Sequence, residues 1–284
     1  MVDINAAKAL FDAVANGTKV VLVGDSNQLL PVEEGQIFRD LITSGKIHTV
    51  YLSRIFRTES KTIIDNANRI LDGKNTFIID SSFNIIIKDN NSQVIAAAQE
   101  LAQDLYGSSD CLNVQVLTQS KSAVEKINQH IKNKSLSKKS CITLREYKKF
   151  HIGEKIIFNR NDADNKYANG QIAIITAVND GNKTLDASTN NGAPALNLGY
   201  RDLKNLDSAY AITIHKSQGS EYGQVIIALT EDADALLCRE LLYTAITRAS
   251  KKVTIISTEN SLANALSNTS NRTTFLGKII SDLL

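Results

Sequence analysis

Val225-Ile226-Ile227-Ala228-Leu229 is a short, unbroken apolar run that reads as a strand, and Lys252-Val253-Thr254-Ile255-Ile256-Ser257 reads as a second strand. Between them, Arg239 to Arg248 reads as a helix. Strand, helix and strand in that order argue for a parallel sheet with helices packed on it. The same alternation extends toward the N-terminus. Asn113 to Leu117 reads as a strand followed by a helix over Ala123 to Lys132, and Phe83 to Ile87 as a strand followed by a helix over Gln93 to Tyr106, capped by Gly107. Further back, Lys61 to Leu71 reads as a helix closed by Gly73, His48 to Leu52 as a strand and Gln36 to Thr43 as a helix. Lys19 to Val23 reads as a buried strand bounded by Gly24-Asp25. At the start, Ile4, Ala7, Leu10, Phe11 and Val14 recur at the helical spacing of one buried face, and Gly17 offers a C-terminal cap.

The pattern is interrupted once, between residues 144 and 207. Ile156-Ile157-Phe158 and Ile172-Ala173-Ile174-Ile175 are β-like runs punctuated by Asn169-Gly170, Asp180-Gly181 and Asn191-Gly192. Such dipeptides favour tight hairpins because they tolerate positive φ. A small antiparallel barrel inserted in the second of two α/β lobes is expected. A lobe boundary is placed near residues 74–82, giving a first lobe over 1–78 and a second over 79–143 and 208–284.

Composition narrows the class. The 284 residues are 43% hydrophobic and 22% charged, ordinary values for a globular protein. No apolar run approaches the roughly 20 residues of a membrane span, and the first residues lack the basic and apolar regions of a signal peptide. A cytoplasmic protein without membrane association is expected. Cys111, Cys141 and Cys238 form no C-x-x-C pair and lie far from the four histidines, so buried free thiols are expected and no metal ligands are assigned. The net charge of +2 is unevenly spread, with ten Lys/Arg against three acidic residues between Lys121 and Lys155. A solvated helix face or a phosphate-binding track would each explain that excess.

Gly24-Asp25-Ser26-Asn27-Gln28 follows an apolar run, at the kind of strand end where open α/β sheets bind ligands. Gln28 suits the orientation of a water beside a phosphate oxygen, although Asp25 and Ser26 would equally cap a plain turn. Gly-Asp-Ser also resembles the nucleophile block of the GDSL-type esterases, with Ser26 as nucleophile. That family needs Asp-x-x-His late in the chain. His48, His130, His151 and His215 are preceded at the third position by Gly45, Ile127, Lys148 and Ile212, so the serine lacks a partner.

Three further blocks point elsewhere: Leu52-Ser53-Arg54-Ile55-Phe56-Arg57, Ile214-His215-Lys216-Ser217-Gln218-Gly219-Ser220-Glu221 and Tyr243-Thr244-Ala245-Ile246-Thr247-Arg248. With Gly24 through Gly35, their order and spacing resemble the later motifs of superfamily 1 DNA helicases, closest to the RecD-like branch, the exodeoxyribonuclease V alpha-subunit family. The first block is similar to motif III, written GDxxQLPPVxxG, with Leu30 in place of the first proline. The resemblance implies RecA-like parallel sheets with helices on both faces. It implies ATP and Mg²⁺ as cofactors, with Gly24, Asp25, Gly219 and Glu221 near the nucleotide. Gln28, Arg57 and Arg248 would be catalytic, Gln28 sensing the γ-phosphate and Arg248 acting as an arginine finger. Arg suits such a task because its planar charged fork donates several bonds to phosphate oxygens. Thr118, His215, Lys216, Ser217 and Gln218 would contact single-stranded DNA through its sugar–phosphate backbone. Local alternatives remain open: an N-cap for Thr118, a surface ion pair for Arg57, and a helix-dipole partner for Arg248. Tyr243 and Thr247, four apart, would share a helical face.

One element of that family is missing from the sequence. The Gly-Lys pairs Gly45-Lys46, Gly73-Lys74 and Gly277-Lys278 are followed by Ile47, Asn75 and Ile279, so no GxxxxGK[ST] phosphate loop exists among the 284 residues. Leu229-Thr230-Glu231-Asp232 mimics an acidic metal block, but its place between the last two motifs reads as a surface loop. Met1-Val2-Asp3 resembles the tail of the family's acidic metal block. The expectation is therefore the C-terminal portion of an ATP-dependent helicase translocating on single-stranded DNA, 5′ to 3′ by resemblance, inactive as this isolated chain and able to work with nuclease or helicase partner subunits. The alternative is a non-catalytic nucleic-acid-binding or partner-subunit remnant of the same fold.

Overall fold

The computed structural model describes residues 2–52, 58, 60–108, 111–136, 139–144, 148–164, 166–189, 195–270, 272 and 274–283. Its early part carries α1 (Ile4–Ala13), α2 (Ile37–Thr43) and α3 (Lys61–Leu71). Alternation then begins, with β1 (Phe83–Ile87), α4 (Asn91–Ser108), β2 (Val114–Thr118) and α5 (Lys121–Leu136). An antiparallel segment follows: β3 (Cys141–Thr143), β4 (Lys149–His151), β5 (Lys155–Phe158), β6 (Ile172–Asn179), β7 (Thr184–Ser188), β8 (Leu196–Leu198), the short α6 (Tyr200–Leu203) and β9 (Leu206–Ser208). Alternation resumes through β10 (Ala211–Thr213), β11 (Tyr222–Leu229), α7 (Arg239–Ile246), β12 (Ala249–Ser257), α8 (Glu259–Ser267) and α9 (Leu276–Leu283).

The central sheet has the order β1-β12-β11-β2-β10, and each of its pairings is parallel. Successive strand residues point to opposite faces, and both faces are covered. Val225, Ile227, Leu229, Val253 and Ile255 meet α3, α7 and α8 in one core. Val116, Ile226, Ala228 and Ile256 meet α4 and α5 in the other. That double burial explains why these strands read as continuous apolar runs rather than alternating ones. The expected α/β class with helices on both faces is what forms.

Three sequence expectations need correction. Lys19 to Val23 and His48 to Leu52 do not form strands, and Val21, Val23, Val50, Tyr51 and Leu52 are exposed. A strand exists only through its ladder, and no strand pairs with either run among the described residues. For the same reason the apolar stripe of α1 lies largely open: Ala7 is buried, whereas Leu10 and Phe11 are each 45% exposed. The inserted segment is antiparallel as expected, but its described strands form an open sheet of order β8-β7-β6-β5-β9 beside a β3–β4 hairpin, not a closed barrel. It keeps its own core of Ile142, Phe150, Ile156, Phe158, Tyr167 and Leu185, among others. Asp180 lies in the β6–β7 turn and Gly170 takes φ +84°. The Asn191-Gly192 turn lies outside the described residues.

α3 falls before the expected lobe boundary, yet Ile63, Ala67 and Ile70 lie in a core of the central sheet. The helix is closed as predicted by Gly73 at φ +72°, whose N–H reaches Ile70 O at 3.0 Å.

Candidate functional site

The loop at Gly24–Leu29 is organised by Asp25. One carboxylate oxygen accepts the Asn27 N–H at 2.9 Å; the other accepts Gln28 Nε2 at 3.0 Å and Tyr243 OH at 3.2 Å. The next contact is also to α7. Leu29 N–H donates to Thr244 Oγ1 at 3.0 Å, while that hydroxyl donates back along its helix to Glu240 O at 2.6 Å. The Leu29 carbonyl in turn accepts Gln218 Nε2 at 3.2 Å. Three blocks far apart in sequence therefore meet at one loop. Two of them border a cleft of about 400 Å³ whose lining includes Gly24, Asp25, Gln28, Leu29, Gln218 and Gly219.

Glycine is required here for two different reasons. At Gly24 an added Cβ would lie 3.1 Å from the Phe38 ring, so space is the constraint. At Gly219 the surroundings are open, but φ is +84°, so backbone conformation is the constraint. Glu221 beside it is exposed.

Arg248 departs from expectation. A finger reaching into an open cleft would be accessible, whereas Arg248 is 1% exposed. Its guanidinium donates to Thr244 O at 3.1 Å, Ser220 O at 3.2 Å and Thr247 Oγ1 at 3.3 Å. It thus joins the C-terminal end of α7, where a cation is favourable, to the Gly219–Glu221 segment. Arg248 and Ser220 both lie at the amino ends of strands, β12 and β11 respectively, rather than at the carboxyl ends.

The candidate nucleic-acid contacts divide. Thr118 is fully buried, and its hydroxyl accepts the Ser120 N–H at 3.3 Å; the cap of α5 is instead Ser120, whose hydroxyl accepts the Ala123 N–H at 3.1 Å. Ser217 is fully buried and donates to Ile214 O at 2.7 Å. His215 is partly buried, and that burial lowers its pKa from 6.5, favouring the neutral ring. Gln218 is turned toward Leu29. Lys216 is exposed, with its ammonium 2.9 Å from Asn159 Oδ1 of the inserted segment. It lines a groove of about 1200 Å³ that also carries Lys121, Lys126, His130 and Lys132. Arg57 lies outside the described residues.

Several structurally engaged residues carried no sequence signal. The sequence assigns Thr244, Glu240 and Arg39 no role of their own. Asp232, read from sequence as part of a surface loop, accepts hydrogen bonds from Ser120 and Ser122, both at 2.6 Å, and from Thr230. Partial burial alone would raise its pKa, but those bonds outweigh it and the pKa is lowered. This carboxylate fixes the β2–α5 loop to the end of β11. Among the described residues, no group of three or more His, Cys, Asp or Glu could hold a metal ion, and no helix is long and apolar enough to cross a membrane.

The fold is a doubly covered parallel sheet whose α7 and β10–β11 segment contact a glycine-led loop. Residues 208–256 match the UvrD-like helicase C-terminal domain and residues 1–85 an AAA domain. The ATP-dependent RecD2 DNA helicase of Deinococcus radiodurans is 30% identical over 247 residues, covering 85% of this chain and 33% of that protein. The RecBCD enzyme subunit RecD of Mycobacterium tuberculosis is 25% identical, covering 94% of this chain and 49% of its own length. Among solved structures, the Pif1 helicase from Bacteroides in complex with ADP-AlF3 and ssDNA shares the fold at TM-score 0.53 and 19% identity, over 91% of this chain and 65% of that one. The particular kinship is with the RecD-like helicases: the chain is homologous to the C-terminal part of that branch, and it spans between a third and a half of the length of these two curated relatives.

Proposed function

We propose that this chain supplies the C-terminal part of an ATP-driven translocase acting on single-stranded DNA, with 5′ to 3′ polarity by family resemblance. The first lobe would cover residues 1–78, the second 79–143 and 208–284, and the insertion 144–207. The observation that carries the reading is the convergence of Gln218, Tyr243 and Thr244 on Asp25 and Leu29 of one loop, which with Gln218 lines a cleft. In it, Gly24, Asp25, Gly219 and Glu221 would border the nucleotide, with Gln28 poised toward its phosphates. Arg57 and Arg248 would supply positive charge there, Arg248 after leaving its buried position. His215, Lys216, Ser217, Gln218 and Thr118 would form or support the DNA track, with Lys216 as its exposed cation. The name of the RecD2 relative favours ATP as the fuel, and the name of the RecBCD enzyme subunit favours a chain that works with partner subunits. Nuclease or helicase partners and a cytoplasmic location rest on the sequence alone.

The residues present do not complete a phosphate and Mg²⁺ site, because the sequence holds no GxxxxGK[ST] loop. No hydrolytic step is therefore assigned to this chain alone. That same gap favours, as a second reading, a non-catalytic DNA-binding or partner-subunit role. The deciding experiment is ATP hydrolysis by the 284-residue chain, with and without single-stranded DNA, beside Arg248→Ala. Little or no turnover is expected. DNA-stimulated turnover abolished by the substitution would overturn the expected inactivity and assign Arg248 to a complete site.

A further inference from the structure

Beyond α8 the chain returns to its own beginning. Ser270 N–H donates to Glu240 Oε2 at 2.8 Å, and Ser270 O accepts Arg39 Nη1 at 3.1 Å. Arg39 also donates to Ser26 O through Nη2 at 2.8 Å and Nε at 3.3 Å, and its guanidinium lies 3.7 Å from Glu240. Two residues on, Arg272 donates to the carbonyls of Pro31 at 2.7 Å, Gly35 at 3.2 Å and Val32 at 3.3 Å, and to that of Glu33. The Arg272 carbonyl accepts Gln36 Nε2 at 3.2 Å, and Thr274 Oγ1 donates to the buried Asp40 at 2.8 Å. The two buried cores of the central sheet end at Leu266, so this segment contributes nothing to them.

We propose that Ser270, Arg272 and Thr274 form a strap that sets the position of the Gly24–Gly35 loop against α7, with Arg272 and Arg39 as its positioning residues. Among the described residues no strand ladder holds the carbonyls of the loop. A planar guanidinium presents five donors across a fork and can hold four carbonyls spread along the loop at once, more than the three donors of a compact ammonium can reach. The strap acts on the site through the same loop, since Asp25 and Leu29 reach Tyr243 and Thr244, and Leu29 retains Gln218. That the loop borders a nucleotide cleft rests on the function proposed above; the strap's geometry does not.

The test compares the whole chain with Arg272→Ala and Arg272→Lys by amide hydrogen exchange and by anisotropy of a fluorescein-labelled oligothymidylate. In the alanine variant, exchange at Asn27, Gln28 and Leu29 should rise about tenfold, while β2, β11 and β12 keep their protection. Lysine should not restore it, because one ammonium cannot reach the set of carbonyls. With Gln218 released, oligothymidylate affinity should shift roughly threefold, as expected when a polar contact is repositioned. Unchanged exchange in the loop, an equal rise across the sheet, or full rescue by lysine would each overturn the strap. Failure of the unsubstituted chain to bind oligothymidylate would sink the DNA reading and leave the exchange result to decide the strap.

Discussion

The backbone N–H of Leu29 donates to Thr244 Oγ1 at 3.0 Å, joining positions 215 residues apart. Beside it, Tyr243 OH reaches Asp25. Two residues of one helical turn thus read the same loop, one through its backbone and one through its carboxylate. Displacing the loop would be felt by α7, and displacing α7 by the loop.

Thr244→Val tests that joint. Thr244 is fully buried, and valine keeps its shape while removing the only oxygen that accepts the Leu29 N–H in this contact. An unsatisfied partly buried donor costs about 1–3 kcal/mol. Urea unfolding should show a loss of that order, with Thr244→Ser retaining most of the stability. An unchanged midpoint for the valine variant would refute the contact's contribution.

Lys155 is fully buried at the root of the inserted segment, donating to Val114 O at 2.6 Å and Cys111 O at 3.0 Å. The rings of Tyr106 and Tyr222 lie 5.4 and 5.9 Å from its ammonium, and burial pushes the Tyr222 phenol up to about 12, keeping it neutral at physiological pH. Lys155→Met should destabilise the chain by about 3 kcal/mol through its charge-assisted bonds. Lys155→Ala should cost more, because a cavity is added. Calorimetric unfolding of both variants checks the order; a methionine variant as stable as the parent would contradict it.

His215 gives the chain a pH dependence of defined sign. Burial lowers its folded pKa below the unfolded value of 6.5. Its contribution is fully present above 6.5, and declines as pH falls from there toward the folded value, where protonation of the unfolded chain is favoured. The melting temperature should therefore fall more steeply between about pH 7.5 and pH 5.5, about one unit either side of the unperturbed His value, than in His215→Gln. Parallel curves for the two proteins would show that His215 is not responsible.

Lys216 should report on the DNA track through salt. If about four phosphates are engaged, log affinity for single strands falls against log salt with a slope near −3, about 0.7 per phosphate. Lys216→Ala should make the slope shallower by about 0.7 while treating all sequences alike. An identical slope would place the phosphates elsewhere.

Much of the parallel sheet was legible because its strands are buried on both faces and so appear as apolar runs. Val225–Leu229, Phe83–Ile87 and the helix Lys61–Leu71 fall where expected, to within a few residues. Lys19–Val23 has the same apolar signature and forms no strand. Its sequence expresses a capacity for a ladder, but the partner that would realise it is not written in the run itself. The site blocks were legible as motifs, whereas burial of Thr118, Ser217 and Arg248 was not. Polar side chains look alike in sequence whether they face a cleft or satisfy a neighbouring carbonyl.

By itself, the sequence determined the α/β alternation, the place of the antiparallel insertion, the blocks that mark the RecD-like kinship and the absence of a phosphate loop. Those depend on local periodicity and residue chemistry, which are properties of contiguous stretches. Only the tertiary structure decided that Leu29 would rest on Thr244, that Arg248 would turn inward to Ser220, and that Arg272 would bind the loop at Pro31–Gly35. Each joins groups separated by tens to hundreds of residues. Donors such as Arg272 take whichever carbonyls folding leaves without a ladder, and that choice is made by the packed chain as a whole.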